Sequence, residues 1–301
     1  MWTTHLKLLA SAVFWGGTWI SGRHLAQVMG PFSAAFLRFA LASAFLLFLT
    51  RRLSGGIALP KRRDWPGLLL LGLTGVFGYN AFFFAGLKTV PASRAALIVA
   101  AIPTVVSLYA GLALGERFGR VRAAGIALSF AGVGLVLSGG DPAALFRDGA
   151  SPGDLLILCC VACWSAYTLA GRSVMARVSP LSAVTWSCLV GGALLFPPAL
   201  GGGLFADMAR AGLGDWLHLA FLGIMATGYG FFWYYEGIKT LGASRAGVYI
   251  NLVPVVAVLL GVAALGEPLG WPLAVGGAMV LGGVRLTQKQ ERPGDAKRPP
   301  A

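Results

Sequence analysis

The chain has 301 residues, of which 57% are apolar and only 12% are charged, and its mean hydropathy is +0.75. Soluble domains usually carry about 25% charged residues, so this composition excludes a soluble globular protein and indicates an all-α membrane protein. Segments such as residues 181–196 are apolar on every face, which excludes the alternating strands of a membrane β-barrel.

Stretches of about 20 apolar residues, bounded by charges or by Pro and Gly, predict ten transmembrane helices joined by short loops. If the N-terminus is cytoplasmic, about eighteen Lys and Arg residues lie inside and about five outside, with Arg38 within a span. This asymmetry predicts that both termini are cytoplasmic. The same asymmetry explains the net charge of +13, because cytoplasmic loops of membrane proteins are rich in Lys and Arg. The predicted partner is therefore the lipid bilayer and not a nucleic acid.

Taken in chain order, the sequence repeats itself. Trp15 and Pro31 recur as Trp164 and Pro180 at an offset of about 149, which becomes about 151 from Asp64 onward. Residues 86–95, GLKTVPASRA, return as residues 237–246, GIKTLGASRA. We predict two five-helix repeats, residues 1–145 and 151–288, followed by a disordered basic cytoplasmic tail, residues 289–301. Because each repeat has an odd number of spans, the second is inverted, as in many secondary transporters.

Several motifs resemble those of a known family. They are Trp-Gly-Gly at 15–17, Lys-Thr-x-x-Ala-Ser-Arg-Ala entering the fourth and ninth spans, the proline after it, and Leu-Gly-Glu before a Gly-rich span. Together they are similar to the EamA branch of the drug/metabolite transporter superfamily, which includes aromatic amino acid exporters. The resemblance implies two inverted five-helix repeats, a multi-pass location in the bacterial inner membrane and export of small metabolites, often amino acids or drugs. It does not identify the cargo.

Helical periodicity places aromatic and small polar residues on common faces of the first, third, sixth and eighth spans, as expected for a small-molecule site. The alternative for the tryptophans is anchoring at the membrane interface. Asn80 and Asn251 could donate to a substrate carboxylate. The candidate substrate-binding residues are Trp15, Thr18, Tyr79, Asn80, Phe83, Trp164, Tyr167, Tyr229, Trp233 and Asn251.

Two prolines, Pro103 and Pro254, lie at matched mid-helix positions. Each frees the carbonyl four residues back, which could receive an ammonium group and take part in gating. The alternative is a simple kink that bends the helix around the cavity.

Glu236 is the carboxylate predicted to lie within a span, where acids are commonly functional. It could couple export to protons, or it could pair with Lys239 at i+3. Asp64 and Asp215 are expected to be N-caps. The four cysteines lie in predicted spans and are expected to pack as small apolar residues, so no metal site and no cofactor is predicted.

We therefore predict a monomeric transporter, not an enzyme, that exports aromatic or other large apolar amino acids by alternating access through a central aromatic-lined cavity. A proton-coupled drug or metabolite exporter is the alternative. A channel and an intramembrane enzyme fit less well, because inverted repeats favour alternating access and no catalytic motif is present.

Overall fold

A computed structural model of the protein describes residues 2–54, 59–114, 119–141, 143 and 150–288, and every regular element in these ranges is helical. The predicted tail, residues 289–301, and Glu116 of the first Leu-Gly-Glu motif lie outside these ranges. The helices are α1 Trp2–Val28, α2 Pro31–Ser54, α3 Arg62–Gly86, α4 Ala92–Val99, α5 Ile102–Leu114, α6 Arg120–Ser138, α7 Pro152–Met175, α8 Pro180–Gly201, α9 Leu204–Arg210, α10 Leu213–Leu241, α11 Ala243–Ile250, α12 Leu252–Leu265 and α13 Trp271–Gln288.

Within the described ranges, eight stretches are long and apolar enough to cross a membrane. They are formed by α2, α3, α4 with α5, α6, α7, α8, α10, and α11 with α12. Helix α1 has 27 residues and α13 has 18, so both come close to or exceed the length of about 20 residues that a bilayer requires. The prediction of an all-α, multi-pass protein is confirmed, whereas the number ten stays a prediction.

Helices α3 and α10 each contain a π-helical stretch, Gly72–Gly78 and Phe221–Tyr229. The wider turns of a π-helix disturb the regular bonding of the backbone and occur frequently at functional sites. Side chains bond to carbonyls within or beside both stretches: Asn80 Nδ2 donates to Val76 O at 2.9 Å, and Thr227 Oγ1 donates to Leu222 O at 2.8 Å. The two stretches occupy matched places in the predicted repeats.

Pro103 and Pro254 mark interruptions of the helix rather than bends. Helix α4 ends at Val99 and α5 begins at Ile102, so Pro103 lies in the first turn of a new helix. Likewise α11 ends before Asn251 and α12 begins at Leu252, with Pro254 in its first turn. Proline is tolerated in a first turn because the N–H that it lacks has no helical partner there.

The described residues form two compact units, those within 1–96 and 152–267 and those within 97–151 and 268–288. Each unit combines segments from both predicted repeats. In the second unit, glycines bring α6 and α13 close together: a Cβ on Gly283 would lie 2.5 Å from the Ser129 nitrogen. Such small-residue contacts are a common way for helices to associate in membranes. The first unit contains every candidate site residue except Pro103.

Candidate functional site

A cavity in the first unit is bordered by α2, α3, α7, α8 and α10, and its volume is about 40 Å³. Since one water needs about 10–15 Å³ by this measure, the cavity has room for about three waters and not for a whole aromatic amino acid. Its lining residues are Arg38, Phe39, Gly75, Val76, Tyr79, Asn80, Trp164, Tyr167, Val184, Ser187, Cys188, Thr227 and Phe231.

One wall of this cavity is aromatic and is centred on Trp164. The ring centroid of Trp164 lies 5.0 Å from that of Tyr79, 5.0 Å from that of Tyr167 and 6.4 Å from that of Phe231. Centroid separations of 4.5–7 Å are those at which aromatic pairs attract each other. The structure thus brings three of the predicted residues, Tyr79, Trp164 and Tyr167, into one surface.

The charged group of the cavity lining belongs to Arg38 of α2, a residue whose surface is 9% exposed. Its Nη1 donates to Asn80 Oδ1 at 2.9 Å, and its Nη2 donates to Thr227 Oγ1 at 3.3 Å. Its Nε is buried and has no hydrogen-bond partner among the described residues. A guanidinium within a membrane-spanning helix is therefore held by two neutral acceptors, and its Nε nitrogen has no acceptor.

Asn80 also lines the cavity, but its amide group is already engaged. Its Nδ2 donates to Val76 O at 2.9 Å and to Gly75 O at 3.4 Å, and its Oδ1 accepts from Arg38. The amide donors that we predicted for a substrate carboxylate are thus bonded to the π-helical backbone. Arg38 also lines the cavity, and its guanidinium keeps one nitrogen, Nε, without a hydrogen-bond partner among the described residues.

Trp15, Thr18 and Phe83 are not among the residues that line the cavity. Trp15 packs against Phe231, with centroids 5.4 Å apart, and its Nε1 donates to Ala226 O at 2.9 Å. Thr18 Oγ1 donates to Trp15 O. Phe83 is 1% exposed and stacks on Tyr79 at 5.9 Å. Trp15 and Phe83 thus contact lining residues directly, whereas the hydroxyl of Thr18 bonds to the backbone of its own helix.

The remaining predicted binding residues are elsewhere in the same unit. Tyr229 and Trp233 form a separate aromatic cluster, with their centroids 5.2 Å apart and Phe45 4.8 Å from Tyr229. Asn251 lies at the interruption between α11 and α12, and its backbone N–H donates to Val248 O. The structure does not place these three residues in the cavity lining.

The ionisable residues have other partners than those predicted. Lys7 Nζ lies 2.9 Å from both carboxylate oxygens of Glu236, so Glu236 pairs with α1 and not with Lys239, because α1 packs against this part of α10. Asp64 makes no capping bond and instead accepts from Arg177 Nε at 2.9 Å. Asp215 lies inside the first turn of α10, where it accepts from the Gly212 N–H.

A second cavity of about 330 Å³ is lined by Arg23, His24, Gln27, Val28, Pro91, Leu265 and Glu267. Its charged groups are bonded within the chain. Glu267 accepts from the N–H groups of Ala92 and Ser93 at 2.6 and 2.9 Å and so caps α4. Arg23 donates to the carbonyl oxygens of Leu87 and Val90.

The four cysteines are free thiols. Cys188 lines the first cavity, and Cys160 Sγ lies 3.4 Å from the Tyr79 carbonyl oxygen. In the part of the chain that the structure describes, no group of three His, Cys, Asp or Glu residues is arranged to hold a metal.

The sequence analysis predicted Tyr79, Asn80, Trp164 and Tyr167 and missed the other lining residues, among them Arg38, Ser187, Thr227 and Phe231. A signal for Arg38 was present, because it is a cation inside a predicted span and intramembrane charges are commonly functional. The internal repeat was a second signal. Arg38 matches Ser187 at the first offset, and Asn80 matches Phe231 at the second, so matched positions line the cavity together.

Comparison with known proteins agrees with the motifs and the fold. The EamA-like transporter family matches residues 2–138 and 151–288, one match in each half of the chain. The uncharacterized transporter YyaM of Bacillus subtilis is 30% identical over 280 residues, which are 93% of this chain and 92% of that protein. The aromatic amino acid exporter YddG of Ancylobacter novellus is 31% identical, with 85% and 87% covered.

A further relative, a probable terminal-alkyne amino-acid exporter of Streptantibioticus cattleyicolor, is 27% identical over 94% of this chain and 92% of that protein. These relatives are named transporters or exporters and cover nearly the whole chain, which confirms the prediction of a transporter rather than an enzyme. Both halves match one family, and the apolar helices can cross a membrane repeatedly. This chain therefore belongs to the EamA-like transporter family and is a multi-pass membrane protein.

Proposed function

We propose that this transporter exports amino acids with aromatic or other large apolar side chains across the bacterial inner membrane. The observation that carries the proposal is the aromatic wall around Trp164, which lines the cavity of the first unit together with the charged residue Arg38. Such a combination suits a ligand with an apolar side chain and a charged end. Two relatives that are named as amino acid exporters support the same class of substrate.

The proposed mechanism is alternating access. Ten spans arranged as two inverted five-helix repeats, with both termini in the cytoplasm, allow two related states that open to opposite sides. A cavity of about 40 Å³ is too small for the proposed substrates, so its walls must separate for binding. Helices can change direction at the interruption before Pro254 and at the π-helical stretches of α3 and α10. Regular α-helical hydrogen bonding is already disturbed at these places, so a change of direction breaks few further bonds.

We propose facilitated export in preference to proton-coupled export of drugs or metabolites. Glu236 is the residue considered for coupling, and both of its carboxylate oxygens lie 2.9 Å from the Lys7 ammonium group. The two side chains are 38% and 35% exposed. Because both side chains are partly exposed, the pair of Glu236 and Lys7 resembles a surface ion pair.

Uptake of radiolabelled amino acids into proteoliposomes, with and without an imposed pH gradient, tests this proposal. We expect saturable uptake of phenylalanine, tryptophan or leucine, little uptake of lysine or glutamate, and no effect of the gradient. Trp164→Ala should raise KM, whereas Phe205→Ala, at a side chain that is 69% exposed on α9, serves as the matched aromatic control. Failure of every amino acid to enter would overturn the proposal.

A further inference from the structure

We propose that Arg38 is the residue that binds the carboxylate of the transported molecule, so that the substrates are carboxylate-bearing solutes. This inference deepens the proposed function, and its role in transport rests on that function. It starts from a buried cation that lines the central cavity, 9% exposed, within a membrane-spanning helix. Burying a charge in this environment is costly unless it is paired or functional.

The bonding of the guanidinium shows which atoms are available. Nη1 makes a bond of good length to Asn80, at 2.9 Å, whereas the contact from Nη2 to Thr227 is long, at 3.3 Å. Nε has no partner among the described residues, although it is buried. Nε and Nη2 lie on the same edge of the planar fork, and this edge matches the two oxygens of a carboxylate.

A carboxylate on this edge would gain two charge-assisted bonds and would displace only the long contact with Thr227. Arg38 lines the cavity of about 40 Å³, and because its Nε is buried, a carboxylate reaches this edge when the walls separate. The aromatic wall formed by Tyr79, Trp164 and Phe231 then borders the rest of the ligand once the walls separate. Only the first repeat supplies a cation at this position, because the residue matched to Arg38 in the second repeat is Ser187. The hydroxyl of Ser187 donates to Val184 O.

A purely structural role for Arg38 makes a different prediction. In that role the guanidinium would only tie α2 to α3 and α10 through Asn80 and Thr227, and its loss would weaken every ligand to the same extent. In the proposed role, its loss removes the preference for an acid over the corresponding neutral amide. The ratio of two affinities therefore separates the two roles, even when a variant is less stable.

Thermal stabilisation of the purified full-length protein measures this ratio with 3-phenylpropionate and 3-phenylpropionamide. In the unmodified protein we expect the acid to half-saturate at a concentration at least about tenfold lower than the amide. In Arg38→Gln the ratio should fall to about one, and Arg38→Lys, which keeps the charge without the fork, should lie between. Arg177→Gln, which removes an arginine paired with Asp64, is the control and should keep the full ratio.

Equal binding of acid and amide to the unmodified protein would overturn the inference, as would a preference that survives in Arg38→Gln. If Arg38→Gln does not fold, Arg38→Lys and Thr227→Val decide the matter. Thr227→Val removes the displaced acceptor and should leave the acid preference equal or larger, whereas a loss of preference would contradict the proposed edge. Stronger stabilisation by sulfate or phosphate than by the acid would overturn the assignment to carboxylates.

The outcome is separable from the proposed amino acid export. Arg38-dependent binding of carboxylates combined with no amino acid uptake would leave the anion site in place and remove the proposed cargo. Saturable amino acid uptake with an unchanged KM in Arg38→Gln would retain the export function and overturn the role of Arg38.

Discussion

Arg38 and Asn80 are joined by a hydrogen bond of 2.9 Å between two buried side chains, one on α2 and the other on α3. Asn80 is fixed in turn by its bonds to the carbonyl oxygens of Gly75 and Val76 in the π-helical stretch. The position of the cation in the cavity thus depends on the backbone geometry of α3. This relationship leads directly to a test of the neutral partner.

Replacing Asn80 by Asp should abolish carboxylate binding without removing Arg38. The new carboxylate would neutralise the guanidinium from the Nη1 side, so the Nε–Nη2 edge would attract a ligand carboxylate much less. We expect the affinity for 3-phenylpropionate to fall by at least about tenfold, measured by thermal stabilisation. Asn80→Ala is the matched control, since it also loses the amide donors but adds no charge. Equal affinities in the two variants would contradict the account.

Gly75 is required because Tyr167 lies directly against it. A Cβ at this position would be 2.2 Å from Tyr167 Cδ2, so Gly75→Ala must displace a ring of the aromatic wall. We expect a loss of about 1–3 kcal/mol in stability together with a higher KM. At Gly201 nothing lies within 4 Å, so Gly201→Ala should be neutral or stabilising. Calorimetry of both variants checks the pair, and equal transition temperatures would contradict the packing argument.

Trp15 and Trp164 should respond differently to replacement by phenylalanine. Trp15→Phe removes the bond to the Ala226 carbonyl oxygen and should cost about 1–3 kcal/mol in stability, with KM changed little. Trp164→Phe shrinks the centre of the cavity wall and should change KM at least severalfold with a smaller effect on stability. Paired transport and thermal measurements decide this, and the reverse pattern would place Trp15 in the binding surface.

The ion pair of Lys7 with Glu236 should contribute little to stability and nothing to coupling. Exposed pairs typically contribute about 0–1 kcal/mol, so Glu236→Gln should fold normally and transport at a rate close to that of the unmodified protein. A double-mutant cycle with Lys7→Met measures the interaction energy. A loss of gradient-driven uptake in Glu236→Gln would instead identify this carboxylate as the proton carrier.

The sequence predicted the helical membrane fold, the family and part of the cavity. Tyr79, Trp164 and Tyr167 were found because aromatic periodicity identifies the face of each helix that is turned inward. The helix interruptions at Pro103 and Pro254 follow from the chemistry of proline, although a kink and a complete break have the same sequence signature.

Other features depend on how helices pack and could not be read from one helix at a time. Glu236 has Lys239 as its local neighbour, but α1 brings Lys7 within 2.9 Å. The rotation of each helix about its axis decides whether a ring lines the cavity, as Phe231 does, or supports it, as Phe83 does. The bond of Asn80 to Arg38 likewise joins two helices, α3 and α2.

Counterflow of labelled phenylalanine tests the central claim, a carrier with one cavity that opens to alternate sides. Proteoliposomes preloaded with unlabelled phenylalanine would be diluted into a trace of labelled phenylalanine. The account predicts a transient accumulation of label above its equilibrium level, which is reduced in Trp164→Ala and unchanged in Phe205→Ala. Entry of label that never exceeds equilibrium, or that does not saturate, would contradict alternating access and indicate a channel.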